Sequence, residues 1–244
     1  MEAIMQSQST DTPSFATNPK EALQHFNELG FHIEYGVLND IECQRYIHAS
    51  QTLENALNGS FRPQMMPHRQ NPIYLEAMQN RTITNIMNLL VDGKAMGLQT
   101  EYFYCQPGTR GFSLHQDNFF VQASVGAFAS AWVALTDTHT QKGGLIVYPR
   151  SHKEGLLPVR KLDIGPAASQ DPNANNEESI VPTQYKPINA TVPKGAVLFI
   201  HGHVVHGSNP NTSNEWRHVL LNTYIREGES YRPGNYAQRE AIEL

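Results

Sequence analysis

At about Leu98 the hydrophobic pattern of this chain changes period, from helical spacing to short extended runs. Before that point, Asn18-Pro19-Lys20-Glu21 offers an N-cap, a proline at the first helical position and a glutamate at a capping-box position. The spacing predicts a helix with Ala22, Leu23, Phe26 and Leu29 on one face, stopped by Gly30. Asn39 with Glu42 repeats the start signal, and Ile41, Tyr46, Ile47 and Leu53 keep helical spacing until Gly59. A third helical pattern runs from Pro72 to about Val91 through Leu75, Met78, Ile83, Ile86, Leu89 and Leu90. Beyond Leu98, β-branched and aromatic runs separated by Gly, Pro and Asn recur every ~8 to 12 residues. They place strands near 98–105, 112–115, 119–122, 127–135, 145–148, 196–200, 203–207 and 218–225. A helical preface over about 19–95 and a strand-rich stretch over about 98–226 predict an α+β, mainly β fold: a curled antiparallel barrel flanked on one side by amino-terminal helices.

Within the barrel stretch, residues of about 162–190 carry neither period. A structureless run of that length inside a compact domain marks a lid or an insertion, and a lid over the barrel mouth is expected. Residues 1–18, rich in Ser and Thr, read as a flexible leader, and 19–244 as a single domain without internal repeats. Lys and Arg total 18 against 23 Asp and Glu, a net charge of -5, and no basic cluster is dense enough to grip a phosphate backbone, so nucleic acid is excluded as a partner. Cys43 and Cys105 form no CxxC pair, which removes both a disulfide framework and a cysteine zinc site and suits a reducing compartment. No apolar run approaches membrane-spanning length and no secretory signal opens the chain, so a cytoplasmic location is expected.

Two stretches carry chemistry. In Leu114-His115-Gln116-Asp117 an extended backbone would project the imidazole and the carboxylate from one face, as two members of a 2-His-1-carboxylate triad. A strand-end His beside a turn Asp is the bland reading of the same residues. The second stretch runs from Gly195 to Arg217 and holds His201, His203 and His206. Gly195 followed by His201-Gly-His203 opens a cupin pattern, but Gly207 and Ser208 stand where that pattern needs a glutamate. His206 is therefore the better third ligand, with His201 and His203 at the mouth or in the framework. Arg217 follows across a polar loop, and a hairpin would return it beside His206. Inside a barrel its planar fork would require an anion, whereas at a strand start it is an ordinary surface residue.

Together these residues resemble the phytanoyl-CoA dioxygenase (PhyH-like) family of iron(II)/2-oxoglutarate-dependent oxygenases. The similarity runs over roughly 98–226: His115-Gln-Asp117, then AWVAL at 131–135, GGLIVYPRSHK at 143–153 and HGSNPNTSNEWRH at 206–218. It implies a double-stranded β-helix, a jelly-roll or cupin-like barrel. It further implies that His115, Asp117 and His206 are the catalytic iron ligands, that Arg217 pairs with the distal carboxylate of 2-oxoglutarate and Ser208 hydrogen-bonds it, and that Trp132 stands near the cosubstrate. Tyr102 and Tyr104, alternate residues of one strand, are candidates for the same cofactor pocket, with core packing the favoured reading. Arg150 stands where the family commonly has Gly, while Ser151 and His152 match, His152 as a structural residue of that turn.

The activity so implied uses Fe(II), 2-oxoglutarate and O2 to oxidise an unactivated C–H bond, releasing succinate and CO2. With Asp117 present, hydroxylation, or desaturation or cyclisation by the same chemistry, is favoured over halogenation. A zinc hydrolase, a metal-free cupin-like binding module and an interaction protein with a decayed site are the rivals. Basic residues that might meet the phosphates of CoA are sparse near the motifs, namely Arg110, Arg150, Lys153, Arg160 and Lys161, so the expected substrate is a small polar metabolite or biosynthetic intermediate.

Overall fold

A computed structural model describes residues 12–162 and 177–244. In chain order the helices are α1 (Pro19–Leu29), α2 (Asp40–Ser50), α3 (Glu54–Leu57), α4 (Ile73–Met78), α5 (Arg81–Leu90) and α6 (Asn118–Val121). The strands are β1 (Phe31–Glu34), β2 (Gln64–Met65), β3 (Ala95–Cys105), β4 (Phe128–Ala134), β5 (Leu145–Val147), β6 (Val159–Lys161), β7 (Glu177–Ser179), β8 (Ile188–Asn189), β9 (Val197–His201), β10 (His206–Ser208) and β11 (Arg217–Arg226). None of these helices is long and apolar enough to cross a membrane.

Six strands form one antiparallel sheet in the order β1-β9-β4-β11-β3-β2, and β10-β5-β8 form a smaller one. Strand alternation divides the core between the two faces of the large sheet. Phe103, Trp132, Leu198 and Val219 pack inward against Leu145 and Val147 of the small sheet. Tyr102, Tyr104, Phe199 and Leu220 point the other way, onto Phe26, Tyr46, Tyr74 and Ile86 of the helices. This is the expected jelly-roll architecture, with helices on one side of a barrel.

The helix starts follow the caps. Asn18 Oδ1 accepts from the Glu21 N–H, and Asn39 and Glu42 form a full capping box. The pattern over 72–91 divides, because the Asn80 side chain caps a fresh helix by accepting from the Thr82 and Ile83 N–H groups. The second helical pattern likewise ends at Ser50, with the short α3 filling part of the way to Gly59.

Several expectations are corrected. Residues 119–122, expected as a strand, lie mostly in the helical turn α6, and 112–115 form no strand beyond a single bridge from His115 to His206. β1 was not expected from the sequence at all; its four residues are buried, between β9 and α1. The leader is anchored from residue 14 onward: Phe15 is buried, and the Ser14 hydroxyl and Phe15 N–H donate to the Glu34 carboxylate. The stretch of 162–190 contains β7, paired with β6, and β8, paired with β5. The centre of the expected lid, 163–176, lies outside the described residues.

The correction with most bearing on the site concerns the loop between His206 and Arg217. It is not a hairpin. β10 pairs with β5, while β11 pairs with β3 and β4, so the loop crosses from the small sheet to the large one. Asn211 holds the crossover: fully buried, it donates through Nδ2 to the carbonyls of Cys105 at 2.9 Å and Glu215 at 2.8 Å.

Candidate active site

His115 and His206 are brought together by backbone, before any side chain acts. Each donates its N–H to the other's carbonyl, at 2.8 and 3.0 Å, and this rung sets the two imidazoles side by side with ring centroids 4.4 Å apart. Each ring is then oriented by a local carbonyl. Nδ1 of His115 lies 2.8 Å from the Ser113 oxygen and Nδ1 of His206 lies 3.2 Å from the Val204 oxygen. A carbonyl only accepts, so Nδ1 carries the hydrogen in both rings and Nε2 presents a lone pair.

Both Nε2 atoms point at the same target. Each is 3.5 Å from Asp117 Oδ1. Asp117 precedes the turn α6, and its other oxygen, Oδ2, accepts from the Ser130 hydroxyl at 2.6 Å. One nitrogen from each ring and one carboxylate oxygen thus converge, all within 4.8 Å of one another, and this is the one such metal-capable cluster among the described residues. Two imidazoles and one carboxylate, each fixed by an outer partner, suit a non-haem divalent metal with open coordination positions.

Electrostatics sets Asp117 and His206 in the charge states that bind a metal and holds His115 closer to its protonated form. Burial works against ionising Asp117, but the neighbouring His206 and His115 and the Ser130 hydroxyl hold its carboxyl far below the usual range. Burial pushes His206 down to about 4, against the pull of Asp117, so its ring is neutral at neutral pH. For His115 burial also disfavours the cation, yet the hydrogen bond and charge of Asp117 prevail and raise it.

A cavity of about 760 Å³ opens on this cluster, lined also by Trp132, Ser208 and Arg217. Arg217, the first residue of β11, is 2% exposed, and burial lowers its pKa. Its Nη1 donates to the Gly143 carbonyl, its guanidinium lies 5.7 Å from the centroid of the Trp132 ring, and its Nε has no hydrogen-bond partner among the described residues. No carboxylate of the described residues pairs with it. A buried guanidinium in this condition calls for an anion from outside the chain. Ser208 Oγ accepts from the Phe112 N–H at 2.8 Å, which turns the hydroxyl hydrogen toward other acceptors.

Tyr102 and Tyr104 do not line this cavity. They stand on the opposite face of β3, where Tyr104 donates to the Ser50 carbonyl at 2.5 Å and Tyr102 lies 3.0 Å from His218 Nδ1. The pleat decides this: Gln99, Glu101 and Phe103 take the inner face, so the even-numbered residues take the outer one. Tyr104→Phe should therefore cost about 1 kcal/mol of stability, read by urea denaturation, and leave 2-oxoglutarate affinity unchanged within about twofold. A tenfold loss of that affinity would return Tyr104 to the pocket.

The remaining motif residues form the framework. His201 lies between His152 and His203, rings tilted at centroid distances of 4.9 and 5.6 Å, and burial lowers its pKa to about 3. His203 Nε2 accepts from Asn118 Nδ2 at 3.1 Å, and His152 Nε2 donates to the Asn27 carbonyl of α1 at 3.0 Å. Arg150 holds a left-handed conformation, φ 69°, so it keeps the turn geometry that Gly supplies more cheaply, while its side chain pairs with Glu28. Sequence reasoning passed over Ser130, which supports Asp117, and the inner-facing Gln99, Glu101 and Thr223. A partial signal existed in β3, where the polar run Gln99-Thr100-Glu101 interrupts an otherwise apolar strand.

The family model for phytanoyl-CoA dioxygenase (PhyH) matches residues 62–219. Phytanoyl-CoA dioxygenase domain-containing protein 1 of Danio rerio is 31% identical over 177 residues, covering 70% of this chain and 59% of that protein. Phytanoyl-CoA dioxygenase of Arabidopsis thaliana is 28% identical over 177 residues, with the same coverage of 70% and 59%. The chain thus spans 59% of the length of these relatives. Among solved structures, the non-haem alpha-ketoglutarate-dependent carbocyclase SnoK from nogalamycin biosynthesis superposes with a TM-score of 0.72 at 18% identity, covering 96% of this chain and 100% of that one. The epimerase SnoN in complex with Fe3+, alpha-ketoglutarate and nogalamycin RO gives a TM-score of 0.70 at 18% identity, covering 91% and 93%. These two share the fold. The family model spans well over half of the sequence, from before β2 into β11, and this chain belongs to the phytanoyl-CoA dioxygenase (PhyH) family.

Proposed function

We propose that the protein is an iron(II)/2-oxoglutarate-dependent dioxygenase that hydroxylates an unactivated C–H bond of a small metabolite or biosynthetic intermediate, releasing succinate and CO2. One observation carries this reading: a two-histidine, one-carboxylate cluster shares its cavity with a buried arginine that has no counter-ion among the described residues. A zinc hydrolase has no use for that arginine, and a binding module has no use for three donors converging with their tautomers set.

His115, Asp117 and His206 would hold the metal through Nε2, Oδ1 and Nε2. Arg217 would receive the distal carboxylate of 2-oxoglutarate in its fork, with Ser208 donating to the same group and Trp132 walling the cosubstrate. When bound, iron and 2-oxoglutarate supply the oxidising power through activation of O2. The protein orients the reactants and excludes water: the buried guanidinium and the inner-face side chains of Phe103, Trp132 and Leu221 surround them, so each polar contact acts at low dielectric. Helices and barrel serve as one unit over 19–244, supported by the shared core between the large sheet and α1, α2, α4 and α5. A reducing, cytoplasmic setting accords with the free, buried thiols of Cys43 and Cys105.

The test is stoichiometric. Purified protein with iron(II), 2-oxoglutarate and O2 should convert 2-oxoglutarate to succinate, and exchange of zinc(II) for iron(II) should stop this. Failure to bind 2-oxoglutarate, or hydrolytic turnover with zinc(II) instead, would contradict the assignment.

A further inference from the structure

One side of the cavity is built by the carboxyl-terminal strap that follows β11, through Arg232, Tyr236, Ala237 and Arg239. The strap comes after residues 62–219, which the family model matches, so that match assigns it no role. It is held in place largely through its own main chain. The Arg232 N–H donates to the Val121 carbonyl of α6 at 2.7 Å, and Arg69 donates from Nη1 to the Ala237 carbonyl at 3.0 Å and from Nη2 to the Gln238 carbonyl at 2.6 Å. From the inside, Arg239 Nη1 donates to the carbonyls of Arg232, Phe120 and Pro233. Residue 232 is thereby fixed on both of its main-chain polar atoms. At a rise of about 1.5 Å per residue, its anchor at Val121 stands about 6 Å along the helical turn from Asp117.

The arginines of the cavity differ in what they have left to give. Arg239 is committed to those carbonyls and, through Nε, to Gln99 Oε1 at 2.7 Å, and the charge of Glu101 acts on it. Arg217 receives 2-oxoglutarate in the function proposed above. Arg232 is different: its side chain is exposed at the cavity and makes no hydrogen bond or ion pair among the described residues. Of the acids lining the same space, Asp117 is a metal donor and Glu101 is coupled to Arg239. Glu177 stands elsewhere. Its strand β7 joins the barrel where the Ser179 N–H donates to the Leu114 carbonyl at 2.8 Å, whereas the strap joins at Val121, so residues 177 and 232 attach at opposite ends of 114–121.

We propose that Arg232 binds an anionic group of the primary substrate, a carboxylate or a phosphate, and so determines specificity. This rests on the dioxygenase function above and specifies its substrate class. A guanidinium is always charged, and its planar fork meets either anion through two parallel hydrogen bonds. Because the main chain of residue 232 is already fixed, binding has to order only the side chain, which keeps the entropic cost small. Phe119 and Phe120, half-buried in the same cavity, offer an apolar surface to the carbon skeleton between the anion and the metal. The anion thus serves as the anchored end of the substrate. With that end on the strap, a compact skeleton brings one of its carbons to the metal cluster and keeps the others away, so the same contact selects the molecule and the position oxidised.

The test uses paramagnetic relaxation. With manganese(II) and saturating 2-oxoglutarate bound in the absence of O2, so that Arg217 is occupied, proton relaxation would be measured for cyclohexanecarboxylate, cyclohexyl phosphate, cyclohexanol and cyclohexylammonium. At least one of the two anions should bind about tenfold or more tightly than the alcohol and the ammonium, and the tighter anion names the group. Arg232→Gln should bring that anion to within about twofold of cyclohexanol, Arg232→Lys should keep part of the preference, and Arg232→Glu should move it to the ammonium. The proposal is overturned if neither anion outbinds cyclohexanol, if no probe is relaxed, or if Arg232→Gln keeps the wild-type ranking. It is overturned equally if Arg232→Gln loses 2-oxoglutarate itself. Manganese(II) and 2-oxoglutarate affinities, measured first by calorimetry, separate the two levels. Their absence in the wild type removes the dioxygenase function and this proposal with it, whereas their presence with a wrong ranking removes this proposal alone.

Discussion

Replacing Arg217 by Ala should weaken 2-oxoglutarate binding by about 30-fold to several thousand-fold, because truncating one partner of a buried charge pair commonly costs ~2 to 5 kcal/mol. The same change should leave metal binding nearly intact, since the guanidinium touches Gly143 and the Trp132 ring but none of the three donors. Lys should rescue only part of the loss, because an ammonium cannot bond both carboxylate oxygens in one plane. The ligand-free protein offers a control of opposite sign. There the charge is buried without an anionic partner, so Arg217→Met, which fills similar volume without charge, should leave the melting temperature unchanged or raised while 2-oxoglutarate affinity collapses. An apparent 2-oxoglutarate affinity that does not change in Arg217→Ala would remove this residue from the cosubstrate site.

Larger still is the effect expected at the metal donors. His115→Ala, Asp117→Ala and His206→Ala should each reduce iron-dependent succinate formation by well over the ~10- to 100-fold that losing an outer-shell partner costs. Ser130→Ala, which removes only the hydroxyl that positions Asp117 Oδ2, should fall within that smaller range, and the contrast separates a donor from its support. Far-ultraviolet circular dichroism should stay native in all four, because the backbone rung between 115 and 206 does not depend on the side chains. His201→Ala is the counter-test. It should keep one metal per chain, since His201 packs against His152 and His203 outside the cluster. Normal turnover by His206→Ala, with loss in His201→Ala, would transfer the third position to the histidine favoured by the cupin pattern.

Local signals in the sequence proved dependable where the physics is local. Helix starts at Asn18 and Asn39 depend on side chains three residues apart, and His115 and Asp117 depend on one short stretch of backbone. Arg217 was legible for another reason: a charged residue at the head of an apolar run is informative wherever the chain leads it. Non-local pairing was not legible. Nothing in the sequence between 206 and 217 distinguishes a hairpin from a crossover, because the choice is made by β5 and β3, which compete for the two strands from far away. The candidacy of the tyrosines for the pocket stayed open for a related reason. Period-2 alternation shows that 102 and 104 share a face, but which face meets the helices depends on where Tyr74 and Ser50 arrive. β1 was passed over although Phe31-His32-Ile33-Glu34 alternates, because four residues carry too short a stretch of the period to stand out.

The rung between His115 and His206 has a consequence for how the protein is born. During synthesis His115 and Asp117 leave the ribosome long before His206, and with them alone only two donors are in hand. The third arrives with β10, some ninety residues later, and is seated only when that strand docks on β5 and its backbone closes onto 115. Closing so long a loop is entropically slow, which places the centre among the last features to assemble. A nascent or truncated chain that lacks β10 thereby offers two of the three donors and not the third.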